Sequence, residues 1–210
     1  IEVDGHWVWL GTSEGLSVYS KATSRLWRVK RFTTGQGVQP NVWALEGIEG
    51  GVAAGTLGSG LWLADDPDGE WRRVKDKGSV VRFVQTLVRK GSFLYIGTLD
   101  RGVAVMHLET ERIRRVDRLW AAGAKNIQAL AFDDTGKLWI GDNGNGLYRW
   151  DPESDEVNRY SQRSGAISDD FVLAVSAAPG EVLIGTFGGG AYRYSLKYDE
   201  WTHFDMTPVV

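Results

Sequence analysis

Apolar positions in this chain come in short runs, too short for a helix of any length. VWL at 8, VAA at 52, LYI at 94, LWI at 138 and VLI at 182 are each followed by a glycine, a loop, a second glycine and an alternating run. The leading glycines are Gly11, Gly55, Gly97, Gly141 and Gly185, spaced by 44, 42, 44 and 44 residues. The closing glycines are Gly15, Gly60, Gly102, Gly146 and Gly190. Eleven residues past each closing glycine stands an apolar residue: Leu26, Trp71, Ile113, Val157 and Trp201. Three further on stand Val29, Val74, Val116, Tyr160 and Phe204. A period of about 40–45 residues points to propeller blades.

Each repeat predicts four strands. Strand A is an apolar segment such as NVWAL at 41 or NIQAL at 126, and strand B is the run before the glycine loop. Strand C is the alternating run after the loop, and strand D carries the two later apolar positions. In strand B, Val8, Val52, Leu94, Leu138 and Val182 should share one face, with Trp9, Tyr95, Trp139 and Leu183 on the other. Both faces are apolar, as expected of a sheet stacked between sheets. No run of ten residues has helical periodicity. The expected fold is all-β: a β-propeller of five four-stranded blades, one domain over residues 1–210. The opening IEVDGH matches the end of a strand A and the closing DMTPVV matches the lead-in to one, so residues 208–210 with 1–3 would complete a blade and close the ring. An arc cut from a larger ring is the alternative.

Composition narrows the partners. The 210 residues carry a net charge of −3, with 27 glycines, 10 tryptophans and no cysteine. Without a basic excess the expectation is no nucleic-acid partner. No apolar run approaches the roughly 18 residues of a membrane helix, so no membrane insertion is expected. Disulfides and thiolate metal sites are excluded. The chain starts at Ile1 without a signal-like stretch, which reads as a mature form or an excised domain.

Residues 138–151, LWIGDNGNGLYRWD, resemble the two-component regulator propeller repeat, with good copies at 8, 94 and 182 and a weaker one at 52. The resemblance covers nearly the whole chain. It implies a β-propeller of the kind that builds periplasmic sensor regions of bacterial hybrid histidine kinases, often recognising carbohydrate-derived ligands. It implies a periplasmic or extracellular location.

The glycine-rich VLIGTFGGG at 182 could be taken for a phosphate loop, but no loop here ends in Lys-Ser or Lys-Thr, and each leads into a strand rather than a helix. Hairpin geometry explains these glycines. His6, His107 and His203 fall in different blades and give no metal-site spacing. Asp142, Asn143 and Asn145 could hold calcium or simply serve a turn; the turn is the better reading. No GxSxG elbow and no facing carboxylate pair is indicated. The expectation is therefore a protein that is not an enzyme, with no cofactor and no metal.

In a propeller the B–C and D–A loops share one face, around a channel lined by strand A. On that map Trp43, Arg82, Gln85, Asn126, Gln128 and Asp170 approach the mouth from strand A and its lead-in, and Arg101, Asn143 and Phe187 from B–C loops. Aromatic faces among amides and a few charges suit a small polar ligand. The leading expectation is a binding or sensory propeller holding such a ligand, a carbohydrate or another small polar molecule. A protein–protein scaffold is the alternative, and a propeller lyase or glycosidase the third reading.

Overall fold

A computed structural model describes residues 1–205 except Asp4, Arg31, Gly35, Gln36, Asp68, Lys77 and Ser79. Among the described residues the chain is all-β, with twenty strands in five four-stranded sheets. The first sheet is β1 (Glu2–Val3), β2 (Trp7–Thr12), β3 (Gly15–Ser20) and β4 (Arg25–Arg28). The second is β5 (Val42–Ile48), β6 (Gly51–Thr56), β7 (Gly60–Ala64) and β8 (Arg72–Arg73). The third is β9 (Val84–Lys90), β10 (Phe93–Thr98), β11 (Val103–His107) and β12 (Ile113–Arg115). The fourth is β13 (Ile127–Phe132), β14 (Leu138–Asp142), β15 (Gly146–Trp150) and β16 (Val157–Tyr160). The fifth is β17 (Val172–Ala178), β18 (Glu181–Thr186), β19 (Ala191–Ser195) and β20 (Glu200–Phe204). In every sheet, strands pair in chain order, the A-to-D order that the repeats predict.

The chain divides into two compact units. Residues 1–98 and 104–114 make the first, and residues 99–103 and 115–210 the second. In the first unit the two-faced strands of the sequence are visible directly. Val52 and Ala54 of β6 belong to a core with Trp9, Leu16, Val18 and Val42, while their neighbour Ala53 belongs to another with Val84, Leu94 and Ile96. The tryptophans knit the first core: Phe32 lies 4.7 Å from Trp71 and 5.4 Å from Trp62, edge to face. In the second unit Trp139 and Leu147 of the fourth sheet pack on Val172, Val182, Ile184, Tyr192 and Tyr194 of the fifth.

The leading glycines have a packing reason. A Cβ built on Gly11 would lie within 3 Å of Val42 of the next sheet, on Gly55 within 3 Å of Val84, and on Gly141 within 3 Å of Val172. Each glycine is a seat for the first valine of the following strand A. The closing glycines have a conformational reason, because Gly15, Gly60, Gly102, Gly146 and Gly190 all have φ between 74° and 113°.

Two expectations of burial are corrected. Leu183 is 44% exposed, where its counterparts Trp9, Ala53, Tyr95 and Trp139 are buried. Leu26 is 62% exposed, whereas Trp71 on the equivalent face is buried in the core between its sheet and the one before. A Cβ on Gly185 would meet only Ala174 of its own sheet, at 3.6 Å, so among the described residues no valine sits over this face. The expected closure through residues 208–210 lies outside the described residues.

One element was not foreseen. The connection between the third and fourth sheets contains a short helix, α1 (Asp117–Ala122). Its residues DRLWAA favour a helix, and Asp117 stands in the first turn, where the dipole favours an acid. Gly123 ends it in the left-handed region, with its N–H bonded to the Trp120 carbonyl.

Candidate functional site

The B–C loops are held by a repeated set of bonds. The Thr hydroxyl at the end of strand B donates to the closing glycine's carbonyl: Thr12 to Gly15 at 3.0 Å, Thr56 to Gly60 at 2.7 Å, Thr186 to Gly190 at 2.9 Å. The next backbone N–H donates to the lead-in of its own strand A, as Leu57 to Asn41, Asn143 to Asn126 and Phe187 to Phe171. The closing glycine's N–H then reaches the D–A loop of the following repeat: Gly60 to the Arg82 carbonyl at 3.2 Å, Gly102 to Lys125 at 2.9 Å, Gly146 to Asp170 at 2.8 Å. These bonds bring the two loop classes together as expected.

In the fourth sheet Asp142 stands where the other repeats have threonine. Its carboxylate is fully buried. One oxygen accepts from the N–H groups of Lys125 and Asn126, at 2.7 and 3.0 Å. The other accepts from the backbone and side-chain nitrogens of Asn145, both at 3.0 Å. Four donors around one carboxylate make it a bracket for the loop.

Strand A begins with a β-bulge in four sheets. Register shifts fall between Val42 and Ala44, between Gly97 and Thr98 opposite Thr86 and Val84, between Ile127 and Ala129, and between Val172 and Ala174. The residues lifted out of register are Trp43, Gln85, Gln128 and Leu173. Bulges re-aim side chains and recur beside functional sites.

In the first unit, Trp43 is 53% exposed at its bulge, Gln85 is buried at its own, and the Arg82 guanidinium lies 5.1 Å over the Phe83 ring. In the second unit, Asn126, Gln128 and Asn143 form one group. The Gln128 amide donates to Asn126 Oδ1 at 3.4 Å, and Asn143 bonds the Asn126 carbonyl at 2.8 Å. Asp170 joins through the Gly144 and Gly146 N–H groups on its carbonyl, while its carboxylate accepts from Gln162 N–H at 2.8 Å. Arg101 is exposed and pairs with its neighbour Asp100 at 3.7 Å. Phe187 is 79% exposed, beside half-exposed Phe171.

Sequence reasoning missed Asp142 as a bracket, Phe171 and Leu173 as exposed apolar neighbours, and Trp120 of α1. The Trp120 ring carries Arg115 at 4.7 Å and Lys125 at 5.2 Å. The Asp-for-Thr exchange at 142 was visible in the repeat alignment and could have signalled a specialised loop.

The architecture defines the class: a β-propeller. Solved structures agree. The chain is similar to the extracellular domain assigned to a hybrid two-component system, BT4673, of B. thetaiotaomicron, with a TM-score of 0.77 and 19% identity over 97% of this chain and 27% of that one. It is similar to the computationally designed Ika8 protein, with a TM-score of 0.68 and 18% identity over 95% of this chain and 58% of that one. It is also similar to PorZ, a bacterial surface component of the type-IX secretion system of Porphyromonas gingivalis, with a TM-score of 0.63 and 16% identity over all of this chain and 26% of that one. The chain thus spans about a quarter of the two natural proteins. The sensor-type propellers are the kind that the repeat resembles. No protein-family model and no curated protein matches the sequence. Among the described residues no helix is long and apolar enough to cross a membrane.

Proposed function

We propose that this propeller is a non-enzymatic, extracytoplasmic binding module with a sensory role, and that its B–C and D–A loops hold a small polar ligand of carbohydrate type. The observation that carries the reading is the repeated bulge at the start of strand A, which turns an aromatic or amide side chain out of register in three of its four occurrences, at Trp43, Gln85 and Gln128. Amides such as Gln128 and Asn126 pair donor with acceptor, the chemistry that hydroxyl-rich ligands use, and an exposed aromatic face such as Trp43 packs a sugar ring. Two carboxylates in these loops, Asp142 and Asp170, accept from backbone N–H groups and so serve as brackets.

The test is calorimetry with a panel of neutral mono- and oligosaccharides on the wild type, Gln128→Ala and Trp43→Ala, with urea unfolding as a control. Binding that is lost in a variant of unchanged stability supports the reading. No binding at millimolar sugar, or equal binding by both variants, refutes it.

A protein-docking role is favoured by one observation, the exposure of Phe171, Leu173 and Phe187 in the second unit. Replacing all three by serine should abolish partner capture on that reading and leave sugar binding intact.

A further inference from the structure

We infer that the first unit carries a binding site for a small anionic group, a carboxylate, sulfate or phosphate, in the pocket between the β6–β7 loop and the segment leading into β9. The pocket has a volume of about 820 Å³. Three cations line it: Arg73 of β8, Lys75 just beyond it, and Arg82. None of the three forms an ion pair among the described residues. The chain as a whole is net negative, so an unpaired cluster of three positive groups is a local departure from its charge pattern.

The carboxylate in the lining forms no ion pair with them among the described residues and leaves the pocket with a net positive charge. Asp76 turns one oxygen to the Val81 N–H at 2.7 Å and the other to the Gly78 N–H at 3.1 Å. It folds the loop and leaves the cations to solvent or to a ligand. The floor is apolar and fully packed, made by Leu61, Val74 and Val81. A low-dielectric floor beneath unpaired guanidinium groups strengthens their attraction for an anion. The Arg82 side chain is steadied by the Phe83 ring 5.1 Å away, and its backbone carbonyl is fixed by the Gly58 and Gly60 N–H groups. Arg73 is held against Gly60, whose absent Cβ would lie 3.3 Å from its Nε. Two forks and one ammonium over an apolar floor fit an anionic head with an apolar or sugar body.

This inference goes beyond the neutral-sugar reading and stands if that reading fails. Its test is calorimetric titration of the wild type with glucuronate, inorganic phosphate, inorganic sulfate and, as the neutral control, glucose. Glucuronate or one of the inorganic anions should bind, and more weakly as salt rises. Glucuronate binding alone identifies a sugar acid as the ligand class, and phosphate or sulfate binding identifies the inorganic anion. Arg82→Gln and, separately, Lys75→Gln should each weaken that binding by about tenfold. Both side chains are exposed, and the Arg82 backbone bonds survive substitution, so urea midpoints should stay at the wild-type value. Failure of all three anions to bind at 10 millimolar, or undiminished binding by both folded variants, overturns the inference.

Discussion

Asp133 should be the most costly single side chain to remove from the second unit. It lies in the hairpin turn between β13 and β14 with its carboxylate fully buried. One oxygen accepts from Thr135 N–H at 3.0 Å, Thr135 Oγ1 at 2.6 Å and Lys137 N–H at 3.0 Å. The other accepts from Trp139 Nε1 at 2.8 Å and Arg149 Nη2 at 2.9 Å. Arg149 is itself largely buried, 5.1 Å over the Trp139 ring, and its Nε is buried with no hydrogen-bond partner among the described residues. Asp133→Ala therefore strands a buried guanidinium, which costs about 3–5 kcal/mol. Such a loss is at least a fifth of the roughly 5–15 kcal/mol that stabilises a domain.

The assay is urea unfolding followed by tryptophan fluorescence, with a double-mutant cycle. Asp133→Ala combined with Arg149→Met removes the stranded charge and leaves only the Trp139 and turn donors unsatisfied, so the double variant should recover about 1–2 kcal/mol relative to the single one. pH gives a second readout. Burial alone would raise the Asp133 pKa, but the bonds from Thr135, Trp139 and Lys137 and the Arg149 charge outweigh it and hold the carboxyl below its usual range. A carboxyl depressed in the folded state contributes stability above its unfolded pKa of about 4, and that contribution is lost as pH falls through the folded value. Asp133→Ala should lack this segment of the acid limb. A loss below about 1 kcal/mol, or additive single and double changes, would refute the account of a buried, coupled pair.

Two further predictions concern the loops and the alkaline limb. Gly146→Ala places a Cβ 2.5 Å from the Tyr160 carbonyl at φ 87°, and should destabilise by more than 2 kcal/mol, whereas Gly180→Ala, at φ 78° with nothing within 4 Å, should cost about 1 kcal/mol; equal urea midpoints for the two would remove the steric explanation. Burial pushes the Tyr148 phenol up to about 12, against the opposing charge of Arg159 and with Asp142 and Asp170 adding to the rise. A raised acid contributes stability below its unfolded pKa of about 10 and loses it as pH climbs toward 12. Tyr148→Phe should therefore lose less stability than the wild type between pH 10 and 12, and parallel urea midpoints across that window would contradict this.

The fold was legible because its signals repeat. A glycine that must admit a neighbouring valine, as Gly11, Gly55 and Gly141 do, is fixed by geometry at the same place in three repeats, so it shows as a period. The loop positions were legible for the same reason: Asn143 and Phe187 follow strand B as the repeat map has them, whereas Asp170 precedes its strand A rather than lying in it. What distinguishes one blade from the next was not legible. The Asp133 network joins a turn, a strand B tryptophan and a strand C arginine of a single sheet. Arg73, Lys75 and Arg82 are scattered over ten residues and meet only because Asp76 folds the loop between them back through its bonds to Gly78 and Val81.

The strand A bulges lie between these cases, and they bear most on function. VWAL, VQTL, IQAL and VLAV share an apolar residue, a variable one, a small one and an apolar one, a four-residue motif whose second position is free to vary. Period-two reasoning sends that second side chain to the face opposite Val42, Val84, Ile127 and Val172, into a neighbouring sheet. The bulge adds a residue without adding a pair, so the second position leaves the period-two register, exposed at Trp43 and Leu173 and buried at Gln85. That is why a tryptophan, two glutamines and a leucine occupy one structural position, while the first position of the motif holds only valine or isoleucine and the third only alanine or threonine. Variation at a position released from strand register, beside bonded loops, is where a repeat protein can change its ligand without changing its fold.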